Sequence, residues 1–333
     1  MKRIPNNLNR LLDQYSREIR SAFLDAIKAQ KSDVKIKAVV AALERNDLNE
    51  AYRAVRIDEK YFVGMKSAIR DAYWGGGKAV TASVKKTVIS QPVLPFDGSM
   101  PRSEAWVKNE TAKLVADIVK DQRGLVRFVM QEGIANASHP ENIARDLVGR
   151  INRQTGKREG GFIGLTDRQA ETVKSLRDGL TTPEGMRKYL KSALRDERHA
   201  KTVRAALENG RTVPRDLIQK ISTRYEARYL QYRGNVIAQN EATIAVESGR
   251  AEGFQQMIED GAIRHDQVTT IWRHSYSKNP RESHIALDGT SVPFGGKFVA
   301  EGGAEMMYPH DPAGGAANNI GCNCWADHTV SAP

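Results

Sequence analysis

The sequence predicts a mostly α-helical N-terminal body joined to a small α+β C-terminal module. Through residues 1–250 apolar side chains recur every three or four positions, the period of an amphipathic helix. From residue 267 the pattern becomes a β-branched and aromatic run, Gln267–Tyr276, followed by short segments punctuated by glycine and proline. Charge changes at nearly the same place. Residues 1–250 hold 46 Lys and Arg against 30 Asp and Glu, whereas residues 251–333 hold 5 against 10. Five of the seven histidines (265, 274, 284, 310 and 328) and both cysteines lie beyond residue 264. These shifts divide the chain into a helical region 1–136, a basic helical region 137–260 that includes a linker at 154–165, and the module 261–333.

In the first region Leu8, Leu11, Leu12, Tyr15, Ile19, Phe23 and Ile27 form one face of a helix over residues 6–30. A second helix carries Tyr61, Met65, Ile69 and Tyr73, and the run Gly75-Gly76-Gly77 is expected to break or bend it. Pro- and Gly-rich residues 91–101 read as a loop, and a helix is expected from Arg102 to Val119. Another starts near Ser138, with Pro140 and Glu141 as its first-turn signals. Thr166 and Thr182-Pro183 mark two further helix starts. Pro214 opens a long helix with Leu217, Ile221, Tyr225, Tyr229, Tyr232 and Val236 on one face, with a kink expected near Gly234.

Composition excludes several function classes. At 40% hydrophobic and 27% charged, the 333 residues suit a soluble chain of about two domains. No run approaches the roughly 18 apolar residues of a membrane span, and the N-terminus lacks the apolar core of a secretory signal. Two cysteines make no disulfide framework, so synthesis in the cytoplasm is expected. Gly75-Gly76-Gly77-Lys78 fails the phosphate-loop pattern, because Ala72 and Ala79 stand where glycine and Ser/Thr are required. Residues 145–233 carry 21 Lys and Arg against 11 Asp and Glu, which reads either as a phosphate-facing surface or as a solvated helical face. Its candidate nucleic-acid contacts are Lys157, Arg158, Arg224, Arg228 and Arg233, with the interleaved tyrosines either stacking bases or packing.

In the module, Ser277-Lys278-Asn279-Pro280 should turn the chain, Arg281–Leu287 should form a short helix, and Asp288-Gly289 is a turn signal. Short strands are expected at 291–293 and 297–299. Cys322-x-Cys324 on a strand would point both sulfurs to one face, with His284 a third donor and His310, Asp311 or His328 a fourth. Structural zinc and packed, metal-free thiols both fit this pattern. Arg281, His284 and Asp288 would share a helical face, which suits either a nuclease-like site or a structural turn.

The order of these residues carries a resemblance. Trp272, then Arg281-x-x-His284-x-x-Leu287-Asp288-Gly289, then Phe294 or Phe298, then Tyr308-Pro309-x-Asp311-Pro312, then Asn319-Ile320-Gly321-Cys322-Asn323-Cys324 resembles the C-terminal domain of the phage Mu F-like head morphogenesis family. Ile237–Glu241 followed by Gly249 is similar to the helix that leads into that domain, so the resemblance covers about residues 237–329. The chain departs from the family pattern in placing Gly321 and Asn323 around Cys322 and in having Arg281 where a four-cysteine variant has a thiol. The resemblance implies a non-enzymatic minor capsid protein that joins the procapsid near the portal. Portal protein, major capsid or scaffolding protein and packaged DNA would be its partners, with no membrane, and its final place would be the interior of the phage head. The alternative is a nucleic-acid-binding protein or a nuclease using His284 with Arg281 and Asp288.

Overall fold

The computed structural model describes residues 3–84, 88–275 and 279–332. It is mostly α-helical, with a small α+β module at the C-terminal end, as the sequence predicts. The helices are α1 (Asn6–Asp33), α2 (Ile36–Glu44), α3 (Leu48–Ala54), α4 (Val63–Thr81), α5 (Pro101–Ala135), α6 (Pro140–Val148), α7 (Asp167–Gly179), α8 (Pro183–Lys191), α9 (Glu197–Glu208) and α10 (Arg215–Glu259). The module adds β3 (Val268–Arg273), α11 (Glu282–Ala286), β4 (Ser291–Pro293), β5 (Phe298–Val299), β6 (Glu305–Met306), α12 (Gly315–Asn319) and β7 (Trp325–Val330). A hairpin of β1 (Arg150–Ile151) and β2 (Arg158–Glu159) precedes α7.

Helix starts follow their signals. Thr166 and Gln169 form a reciprocal capping box on α7. The Thr182 hydroxyl accepts from the Gly185 N–H, the His139 ring from Glu141, and Pro140 and Pro183 occupy first-turn positions. Helix α5 continues well past Val119. The expected turn at Ser277-Lys278 and the strand end at Tyr276 lie outside the described residues.

The chain forms two compact units, and neither follows a single stretch of sequence. One comprises residues 1–22, 64–112 and 235–333; the other comprises residues 23–63 and 113–234. Boundaries at 136 and 260 reflect changes in composition, whereas α1, α5 and α10 each contribute to both units.

In the first unit, the glycine run does not break α4. A Cβ on Gly76 would collide with the Val246 carbonyl oxygen, and one on Gly249 with the Tyr73 carbonyl oxygen. The missing side chains let the backbones of α4 and α10 approach closely, and that packing outweighs the intrinsic helix cost of about 1 kcal/mol per glycine. Gly77 leaves room for the Phe96 ring, which is in edge contact with Tyr73 at 6.1 Å. Downstream, β3 is the centre of an antiparallel sheet ordered β4-β3-β7, with Trp272 opposite Ala326. Val268, Thr270 and Trp272 alternate inward. Val268 joins Val80, Phe254, Met257 and Ile263 in one cluster; Trp272 joins Phe298, Met306 and Cys324 in another.

In the second unit, residues 154–165 are not a free linker. They contain one strand of the hairpin, and Phe162, Ile163 and Leu165 are buried. The Gln30 and Gln122 amides bond each other at 3.0 Å in its interior. Leu217 and Tyr229 are half-buried and Ile221 and Tyr225 buried, but Tyr232 is 52% exposed. α10 is one continuous helix through Gly234.

Candidate metal centre and basic cleft

Residues separated by up to 52 positions converge around Trp272, which is fully buried at the centre of the module. Its indole meets the His284 ring edge-on at 5.2 Å and the Phe298 ring at 5.4 Å. The Asp288 carboxylate accepts from the His274 N–H at 2.9 Å, and Gly289, at φ +86°, donates its N–H to the Trp272 carbonyl at 2.9 Å. Asp288-Gly289 is therefore a turn pinned along β3. Arg281 donates to the Ile320 carbonyl at 2.8 Å and fixes the loop that leads to Cys322. The predicted triplet of Arg281, His284 and Asp288 does not converge on a common point: three different backbone and side-chain partners take its members.

His284 instead faces the thiols. Its Nδ1 lies 3.4 Å from Cys322 Sγ and 3.6 Å from Cys324 Sγ. The nitrogen and both sulfurs all lie within 4.8 Å of one another. Both cysteines are free and precede β7 rather than lying on it, so the expected strand alternation is not what aligns them. A tight turn does so: the Cys324 N–H donates to the Cys322 sulfur at 3.3 Å. A hydrogen bond with Cys324 holds the Cys322 thiol far below its ordinary pKa, helped by the His310 and His284 imidazoles; the same bond pushes Cys324 up.

The tautomer of His284 follows from its other neighbour. Asn318 donates through Nδ2 to the carbonyls of Glu301 at 3.2 Å and Gly314 at 3.0 Å. Its Oδ1 is therefore the atom 3.2 Å from His284 Nε2, and since an amide oxygen only accepts, Nε2 carries the proton. The Nδ1 lone pair then points at the two sulfurs. Asn318 carries no signal in the sequence, because nothing in its spacing marks it as the partner of a histidine 34 residues earlier.

The three candidates for a fourth donor separate cleanly. Asp311 spends its carboxylate on the N–H groups of Met307 and Ala313, both at 2.9 Å. His328, on β7, meets Thr270 Oγ1 at 3.1 Å and packs against Phe254 at 4.7 Å. His310 is buried beside Cys322, and neither of its ring nitrogens has a hydrogen-bond partner. Pro309 precedes it in the buried loop, where Tyr308 reaches Ser248 on α10 at 3.2 Å.

The predicted nucleic-acid residues divide. Arg233 is only 6% exposed and is committed to the Gly164 carbonyl at 3.1 Å and Asp121 at 2.7 Å. Arg228 bonds the carbonyls of Leu194 and Arg195, and Tyr225 is buried with its hydroxyl 3.0 Å from Ser192. Arg233 and Tyr225 serve packing, while Arg228, its side chain 43% exposed, is held to the loop carbonyls between α8 and α9. Lys157, Arg158 and Arg224 instead line a cleft of about 710 Å³ in the second unit, joined by Lys28 and Lys31. Lys28, Lys157 and Arg224 form no ion pair among the described residues. Sequence reading missed Lys28 and Lys31, because α1 is far from the basic region in the chain. At the floor, Lys31 donates to the carbonyls of Gly160 and Gly161, both at 2.9 Å, while Glu226 accepts from the Gly161 N–H at 2.7 Å.

No protein-family model and no solved structure matches the chain. A stretch of 122 residues is 30% identical to the Bacillus subtilis (strain 168) protein named "Uncharacterized protein YqbB". That stretch is 36% of this chain and covers 37% of the Bacillus protein. No helix among the described residues is long and apolar enough to cross a membrane.

Proposed function

We propose that this chain is a minor capsid (head morphogenesis) protein of a tailed phage or prophage, which joins the procapsid near the portal and acts without catalysis. One observation supports this reading most: the residues that carry the family resemblance are used together. Trp272, His284, Asp288-Gly289, Asp311, Asn319 and Cys324 belong to one interlocked core, in which Asp311 shapes its loop and Asn319 donates to the Asp311 carbonyl at 2.8 Å. An accidental string of similar residues has no reason to converge in this way. In this reading the module docks on portal, major capsid or scaffolding protein, and the basic cleft of the second unit meets packaged DNA.

The test is affinity capture of the tagged protein from cells undergoing phage induction. Recovery of portal or major capsid protein, stable as salt is raised, is the expected result. Recovery of nucleic acid alone, lost at moderate salt, would overturn the capsid reading in favour of a DNA-binding protein.

A further inference from the structure

We propose that His284, His310, Cys322 and Cys324 form a zinc site that fastens the loop between β6 and β7 to α11. The distances from His284 to both sulfurs already fit. Ligands sharing one tetrahedral zinc, with nitrogen at about 2.0 Å and sulfur at about 2.3 Å, stand about 3.5 Å apart. The His284 Nδ1 to sulfur separations are 3.4 and 3.6 Å.

Thiol packing alone accounts poorly for the same atoms. The Nδ1 lone pair of His284 can accept a single proton, yet it faces two sulfurs at nearly equal distance. Its Nε2–H is held by Asn318, the arrangement that fixes the tautomer of metal-binding histidines.

His310 supplies the independent observation. Its imidazole is 2% exposed, lies beside Cys322, and has no hydrogen-bond partner on either nitrogen. Leaving a buried polar atom unsatisfied is costly, and the sequence could have avoided it with any apolar residue. Its backbone is also left-handed, at φ +67°, a conformation unusual for a residue other than glycine and common where side chains are aimed at a site. Behind it, within electrostatic reach, lies the Glu247 carboxylate of α10, fully buried and paired with Arg250 at 2.7 Å. His284, Cys322 and Cys324 are already gathered, and His310, which lies outside their 4.8 Å cluster, completes the set by turning onto the metal. Two thiolates and two imidazoles then have the composition of a structural zinc site with no position left for substrate. The site binds zinc as the module folds and releases the thiol protons.

This inference does not depend on the capsid reading, since it is measured on the purified full chain. Metal analysis of the protein made in zinc-supplemented medium should give about one zinc per chain, and Cys324→Ser should give none. Replacement by Co²⁺ should give the intense visible bands of a tetrahedral ion with sulfur-to-cobalt charge transfer. This readout needs no substitution, so it stands if a variant fails to fold. In competition with a chromophoric chelator, Asn318→Ala should weaken zinc binding about 10–100-fold, and His310→Ala by more than that. A metal-free protein whose native thiols react with a thiol reagent at the same rate with and without zinc would overturn the site. Unchanged zinc affinity in His310→Ala would remove His310 from it.

Discussion

Glu226 and Lys31 share one short piece of backbone, and burial acts on them in opposite directions. Burial pushes the Glu226 carboxyl up to about 7 from its ordinary 4.5, against the pull of the Gly161 N–H and Lys31. Burial also brings the Lys31 ammonium down to about 8 from 10.5, against the attraction of Glu226. Between pH 4.5 and about 7 the unfolded chain gives up the Glu226 proton while the folded chain keeps it, so stability falls as pH rises. Between about 8 and 10.5 the unfolded chain keeps the Lys31 proton that the folded chain has lost, so stability rises. From this pair, stability is lowest between about pH 7 and 8. Glu226→Gln keeps an acceptor for Gly161 and removes the falling limb. Urea unfolding at pH 5 and pH 7.5 should therefore show wild type losing up to about 3 kcal/mol relative to the variant between the two. Equal changes in both proteins would refute the assignment. At this scale the sequence is least legible. It offered His284, Cys322 and Cys324 as donors, but the atoms that orient them, Asn318 and the Ile320 carbonyl, are chosen by tertiary approach and leave no local pattern. Arg233 was expected at a phosphate and is buried against Asp121 for the same reason: charge is visible in sequence, and the direction a helix face points is not.

Helices were easier to foresee than their interruptions. Thr166, Thr182 and Pro140 act within one turn of themselves, so capping chemistry alone located three helix starts. The glycines of α4 were misjudged because glycine has two uses, conformational freedom and the absence of bulk, and only a neighbour decides between them. Here the neighbour is α10, and the use is close packing. Gly76→Ala and Gly249→Ala should each lower stability by about 1–3 kcal/mol or more, because each adds a methyl against a carbonyl oxygen. Gly124→Ala on α5 is the contrast: nothing lies within 4 Å of its Cβ, and it should stabilise by about 0.5–1 kcal/mol. Thermal melts of the three variants check both signs. If Gly249→Ala melted with wild type, the close approach of α4 and α10 would be refuted.

Across the whole molecule, part of the excess positive charge of residues 1–250 acquires a location. Cations from α1, the β1–β2 hairpin and α10 line one cleft, although they lie almost 200 residues apart in the chain. Lys28, Lys157 and Arg224 are free to neutralise phosphate. Replacing all three by Gln should weaken duplex DNA binding and reduce the slope of log affinity against log salt by about 3, roughly one for each lost phosphate contact. Fluorescence anisotropy over a salt series measures it, and an unchanged slope would move any DNA contact to another face. Composition located the change near residue 260 and the fold class that follows from it. It could not show that the compact units are discontinuous, because that depends on which helices pair and not on what they are made of.

That discontinuity bears on how the chain comes off the ribosome. All of the second unit, residues 23–63 and 113–234, has been synthesised once Gly234 is added, and it can fold while translation continues. Residues 1–22 belong with residues 235–333, which are made later than the whole second unit, and Arg20 finds its 3.1 Å partner only when Asn235 arrives. Residues 1–22 must wait for partners made more than 200 positions later. A nascent chain stalled far enough past Gly234 for that residue to have left the ribosome should already protect the second unit from protease, while residues 1–22 remain open to cleavage.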